Sequence, residues 1–483
     1  MGEYLTILWE AATPSAKAVE WDNCMIIGDK GSASITETTI YQMTSDTWQA
    51  TLANAGFAAT DQTYLSIGDF FGASPIPGGT LTLAIYVSGT TNCFEHIPLV
   101  KVDETTYETP MKPPASFCSG QFVRYFKDQN EADFYKNFED GSLGTAFEIE
   151  VDGNNDWTGR LIFDDGLSYD ALNVDDPLDD NSKITIDFNV NAGMSVLSDA
   201  IDQYNINMVA LALENDNTKK SYSDVLFGNQ LRNIAVVMNM IAGKNCLFFY
   251  GLPGDANATD SIVGLTPAKN WYQLKDFVGQ REEFAAIKAV PTSDDSSLCD
   301  DMSCGYMGMT ASTHPHRQMS FAVPHMGIGD ECGLVDRAYF KDGQIAAIME
   351  NRNLAGNPKL ITYGFTFGTG YSNRINYVRC KGIISQNLVN GIWELFASRE
   401  VLMDYDGMQI VKDKIRAIFK TLVDQGIVDE FAYVKIPIEE GFLANNAAAT
   451  AARLKYEIPA IEIGYYWYSS LERIVITSVK NEA

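Results

Sequence analysis

Four short runs constrain this chain more than any other feature: Cys24-Met-Ile-Ile-Gly28, Leu81–Val87, Met208–Leu213 and Cys246–Tyr250 are apolar almost without a break. Runs of that length, bounded by turn residues, read as buried strands. Helix-like segments lie near Thr47–Ala55 and through Gln230–Ile241, with Gly243 as a stop signal. Strands alternating with helices point to an α/β layer. The chain has 483 residues, too many for one ordinary core, so several domains are expected. A hydrophobic fraction of 46% supplies enough apolar surface to build them.

Residues from roughly 100 to 190 follow a different rhythm. Phe147-Glu-Ile-Glu-Val151 and Lys183-Ile-Thr-Ile-Asp-Phe188 alternate as half-exposed strands do, and an acidic, turn-rich stretch from Asp164 to Asp180 separates them. This predicts a β-rich insertion. Towards the C-terminus, Val411, Ile415, Ile418, Phe419 and Leu422 fall on one helical face, and Gly426 follows as a stop. Strands are expected at Phe431–Ile436 and Ile461–Trp467. Both chain ends also carry strand patterns, Tyr4–Trp9 and Arg473–Val479. Such ends pair either within their own sheet or with another chain, since an unpaired strand exposes backbone donors and acceptors.

The formal net charge is −28, from 35 basic and 63 acidic residues. A field of that sign disfavours nucleic acid and anionic membrane as partners. No basic-then-apolar leader opens the sequence, and no apolar run reaches the roughly 18 residues of a membrane span. The eight cysteines (24, 93, 118, 246, 299, 304, 332 and 380) form no compact framework. Reduced thiols in a cytoplasmic setting fit that spread.

One cluster raises a metal question. Cys299, Cys304, His314, His316, His325 and Cys332 lie within a few dozen residues, and thiolate with imidazole is what zinc prefers. The spacing matches no compact zinc pattern, so ordinary thiols and histidines are expected, with no metal and no cofactor. Gly28-Asp-Lys-Gly-Ser32 follows a strand but lacks the complete phosphate-loop pattern, and a turn is expected there. The acidic pairs Asp175-Asp176, Asp179-Asp180 and Asp294-Asp295 lack calcium-loop spacing. No catalytic residue stands out.

Several segments together resemble one known family. Val19-Glu-Trp-Asp-Asn-Cys-Met-Ile-Ile-Gly28, Ala55-Gly-Phe57, Tyr64 and Asp69-Phe-Phe-Gly-Ala-Ser-Pro75 are similar to the N-terminal part of contractile tail sheath proteins. The C-terminal pattern also resembles that family. It combines a helix closing on a Gly-Ile step, a loop with small residues from Gly441 to Ala452, and a terminal strand rich in Ile and Val. The resemblance implies a virion or tail-like particle, assembled in the host cytoplasm. It implies homo-hexameric rings stacked around a tube, with the tube protein, baseplate and tail terminator as partners. It also implies contraction that drives the tube through an envelope, and no enzymatic activity. By position, the arms that add strands to neighbouring subunits are Tyr4, Leu5, Ile7 and Trp9 at one end and Ile474, Val475, Ile476 and Val479 at the other.

The expected fold is therefore mixed α/β and multidomain. Arms at 1–20 and 471–483 flank an α/β core begun at 21–100, with a β-rich insertion at 101–190. An α/β middle region at 191–360 and a C-terminal core at 361–470 complete it. Another tail component, of baseplate or tube, is the alternative. A metal-dependent enzyme using the 299–332 cluster is the third.

Overall fold

The computed structural model describes residues 23–87 except 74, strand segments between 97 and 187, and residues 192–212. It then describes helical positions at 234, 237–238 and 240–241, and 243–288 with gaps at 253–256 and 263–268. Residues 302–350 (gaps at 318 and 321–331), 359–398, and 402–467 (gaps at 403, 437, 445–446 and 456–460) complete it. Both arms, Cys299, His325 and the acidic pairs fall outside the described residues.

The four apolar runs are four strands of one sheet. Its members are β1 (Cys24–Gly28), β2 (Thr39–Met43), β3 (Leu81–Ile85), β11 (Met208–Ala212), β12 (Leu247–Gly251), β13 (Phe284–Lys288), β14 (Ala346–Glu350) and β15 (Lys359–Ile361). They lie in the order β15-β14-β13-β12-β11-β1-β3-β2. The six central strands run parallel, and β2 and β15 close the two edges antiparallel. Central parallel strands are covered on both faces, which is why they read as unbroken apolar runs instead of alternating ones.

Successive side chains divide cleanly between two cores. Met25, Ile27, Val209, Leu211, Phe248 and Phe284 face one side. That side is covered by α3 (Ala192–Gln203), by Ile234 and Val237, by Leu274 of α4 (Leu274–Val278) and by Phe340 of α6 (Leu334–Asp342). Cys24, Ile26, Met208, Ala210, Phe249 and Ile287 face the other side. They pack against α1 (Trp48–Ala55), α2 (Gln62–Phe71) and α5 (Met302–Ser312).

Between β3 and α3 the chain forms a second, wholly antiparallel sheet. It comprises β4 (Ile97–Lys101), β5 (Thr106–Glu108), β6 (Phe122–Phe126), β7 (Phe134–Tyr135), β8 (Phe147–Val151), β9 (Trp157–Phe163) and β10 (Lys183–Asp187). Their order is β7-β6-β10-β4-β5-β9-β8. Hairpin partners can be close in sequence, so a sheet of this kind can be inserted without disturbing the parallel one.

Beyond β15 come α7 (Ile375–Ser398), α8 (Tyr405–Asp424), β16 (Val428–Lys435), α9 (Glu439–Ala444), α10 (Ala447–Lys455) and β17 (Glu462–Trp467). They enclose a third core. The small-residue segment expected as a loop at Gly441–Ala452 is largely helical, spread over α9 and α10. Alanine loses little on entering a helix, and Phe442, Ala449 and Ala452 anchor this segment by burial.

Candidate assembly surface

The C-terminal unit is built on α8. Asp404 caps its start, its carboxylate accepting from the Gly407 amide at 2.8 Å. The predicted face is the buried one: Val411, Ile415, Phe419 and Leu422 are inside, and Ile418 packs at its border. Gly426 takes φ +70°, a left-handed conformation that lets the helix stop there, as the sequence suggested. The Ile427 amide then returns to the Leu422 carbonyl at 2.9 Å.

Against this helix lies a ribbon of only two strands. β16 and β17 pair antiparallel from Val428↔Trp467 to Lys435↔Glu462, with irregular steps at Val428/Glu430 and Phe431/Tyr433. Its inner face stacks on α8, with Phe419 ring centroids 5.1 Å from Phe431 and 5.4 Å from Tyr465. Its outer face leaves Tyr433 and Tyr466 more than half exposed. Among the described residues neither strand has a second neighbour, so along both edges the backbone donors and acceptors have no described strand partner. A lone two-strand ribbon is marginal in water, and α8 supplies the apolar support it needs.

The helix that carries this unit was not legible in the sequence. α7 spans 24 residues. Its apolar set, Cys380, Ile383, Ile384, Leu388 and Ile392, is helically spaced but interrupted by Gly382 and Gly391. Gly391 leaves room for α8: a Cβ there would stand 2.4 Å from Ile418 Cδ1, and that side chain would have to swing aside.

The candidate metal cluster is not brought together. Cys304 lies on α5 in one core, 3.7 Å from the Leu211 carbonyl, whereas Cys332 lies in the core across the sheet, 3.7 Å from the Lys288 carbonyl. His314 and His316 are elsewhere again, with ring centroids 4.3 Å apart and planes tilted by 56°, against the end of α8, where His314 Nε2 is 3.0 Å from the Gln425 carbonyl. Burial and neighbouring cations lower the pKa of both imidazoles: His316, Arg379 and Arg317 act on His314, and Arg317 on His316. Among the described residues no group of three or more His, Cys, Asp or Glu side chains is placed to hold a metal ion. Burial also pushes Cys246 and Cys332 up, and Cys380 to about 12, as expected of inert interior thiols.

The Gly28–Ser32 turn is filled by the chain's own carboxylate. Asp61 accepts from the Ser32 amide at 3.2 Å, from Ser32 Oγ at 2.5 Å and from the Ala58 amide at 2.8 Å. The amide and hydroxyl of Ser32 are thus satisfied within the chain. The arm residues Tyr4, Leu5, Ile7, Trp9, Ile474, Val475, Ile476 and Val479 lie outside the described residues.

No protein-family model and no curated protein matches the sequence. Solved structures do. The sheath complex of an extracellular contractile injection system, in its contracted state, aligns over 100% of this chain and 97% of its own, with a TM-score of 0.50 at 10% identity. This chain has the contractile sheath fold. Two sheath tail proteins also match at 10% identity. That from Listeria innocua covers 88% of this chain and 90% of its own (TM-score 0.43), and that from Desulfitobacterium hafniense covers 89% and 93% (TM-score 0.44). The alignment to the injection-system sheath spans the parallel-sheet body, the antiparallel insertion and the C-terminal unit alike. No described helix of this sheath fold is long and apolar enough to cross a membrane.

Proposed function

We propose that this protein is a non-enzymatic subunit of a contractile tail sheath, polymerising as stacked hexameric rings around a tube and shortening to drive it through an envelope. Agreement of the entire chain with a sheath complex in its contracted state carries the reading. A fold by itself hosts many functions, so the argument also needs a surface suited to polymerisation. The β16–β17 ribbon supports one, since among the described residues neither of its edges has a further strand. In this reading the arms Tyr4–Trp9 and Ile474–Val479 of neighbouring subunits add strands to those edges, and main-chain ladders keep subunits linked while the bodies rotate. The tube protein, baseplate and tail terminator are the further partners. The particle is a phage tail or a tail-like injection device.

Electron microscopy of the purified chain tests this. Helical tubes with six-fold rings are expected. A closed single ring would move the protein to the baseplate, and a persistent monomer at high concentration would overturn the polymer reading.

A further inference from the structure

Helix α7 does not close completely against the large sheet. It crosses the starts of β11, β12 and β13, and a cavity of about 40 Å³ lies between them. Polar side chains from both sides line it beside apolar ones. Lys381, 5% exposed, reaches from α7 to Glu282, just before β13, at 2.7 Å. Gln386, one turn and a half further on and 4% exposed, donates through Nε2 to Asn205 Oδ1 at 3.4 Å.

Three buried atoms at this cavity have no hydrogen-bond partner among the described residues: Gln386 Oε1, Glu282 Oε2 and Asn245 Nδ2. Leaving such groups unsatisfied costs about 1–3 kcal/mol each, and more for a carboxylate. Two of the atoms accept and one donates. A cation cannot serve Asn245 Nδ2 and would sit beside the Lys381 ammonium. An anion cannot serve the two oxygens. Water does both, and the volume suits roughly one to three molecules.

We propose that this cavity is a built internal hydration site, in which ordered water bridges Gln386 and Glu282 on either side of the seam and extends to Asn245. The water completes the solvation of the Lys381–Glu282 pair, whose burial is otherwise costly. It also makes the junction between the body and the C-terminal unit polar and wet at this point. The site does not depend on whether the chain polymerises.

The test uses the full chain in two measurements. A high-resolution structure should show water density within hydrogen-bonding distance of Gln386 Oε1 and Glu282 Oε2. Water-oxygen magnetic relaxation dispersion should then count at least one fewer long-lived water in Gln386→Met than in the parent, because the near-isosteric thioether removes the acceptor. Should Gln386→Met fail to fold, Asn245→Ala serves as the second variant, with the same loss expected. Direct closure of the cavity by side chains, absence of density there, or an unchanged count of bound waters in a folded variant would each overturn the proposal.

Discussion

Gly308 sits where α5 crosses α2, and a Cβ built on it would stand 2.3 Å from the Phe70 carbonyl oxygen. The obstacle is backbone, which cannot swing aside. Gly308→Ala should therefore destabilise the body by about 1–3 kcal/mol despite alanine's better helix propensity, and a thermal melt of the subunit reads the effect. Residue placement also bears on the metal reading: with Cys304 and Cys332 on opposite faces of the sheet, one ion cannot take both, and a chelator should leave the melting temperature unchanged. One stoichiometric zinc per chain would contradict this. The histidine pair gives a pH prediction. Both imidazoles have folded pKa values below their ordinary value, so below about 6.5 the unfolded chain binds protons the folded chain refuses. Stability should fall as pH drops through the interval between the folded values and about 6.5, and be insensitive to these groups above it. Replacing both residues with Gln, followed by denaturant titration across pH 5–8, should flatten that slope.

At the scale of elements, α8 and its ribbon are the structural pivot. The Asp404 cap satisfies one amide of the first turn, and Asp404→Ala should cost about 0.5–2 kcal/mol. Glu439, at the start of α9, is tied back to α8 by Lys412 at 2.5 Å and by Gln409. The Lys412 hydrogen bond leads in holding its carboxyl below the usual glutamate value. The stabilisation is present above the ordinary glutamate pKa and is lost as pH falls from there through the lowered one. Acid unfolding of the C-terminal unit should thus shift to higher pH in Glu439→Gln, as circular dichroism below pH 5 would report. Element identity was unevenly legible. The amphipathic face of α8 could be read directly. The Met- and Gly-rich run of α5 could not, because Met302–Ala311 is buried all round and a helix buried on every side has no polar stripe to reveal its period.

For the whole molecule, the decisive question is whether the terminal strands belong to their own body or to a neighbour. On the proposed reading, removing residues 472–483 would delete a set of inter-subunit backbone hydrogen bonds, each worth roughly 0.5–1.5 kcal/mol net, with the apolar contacts of Ile474 and Ile476. If the strand belongs to a neighbour, the truncated chain should keep cooperative unfolding by circular dichroism and form no tubes by electron microscopy. Unfolding of the truncated monomer would assign the strand to its own sheet and remove the main support for interlocking arms.

The sequence by itself determined that four apolar runs become buried strands, that the fold is mixed α/β and that α8 presents one apolar face and stops at Gly426. Each is a local consequence of side-chain periodicity or backbone conformation. Only the tertiary structure decided the rest. It decided the order β15-β14-β13-β12-β11-β1-β3-β2, which depends on which strands meet across long stretches of chain. It put Cys304 and Cys332 in separate cores although they are close in sequence, because a sheet lies between them. It filled the Gly28–Ser32 turn with Asp61, a residue 29 positions from Ser32. And among the described residues it left β16 and β17 as a two-strand ribbon, since the number of neighbours a strand has is a property of the assembled sheet and not of its residues.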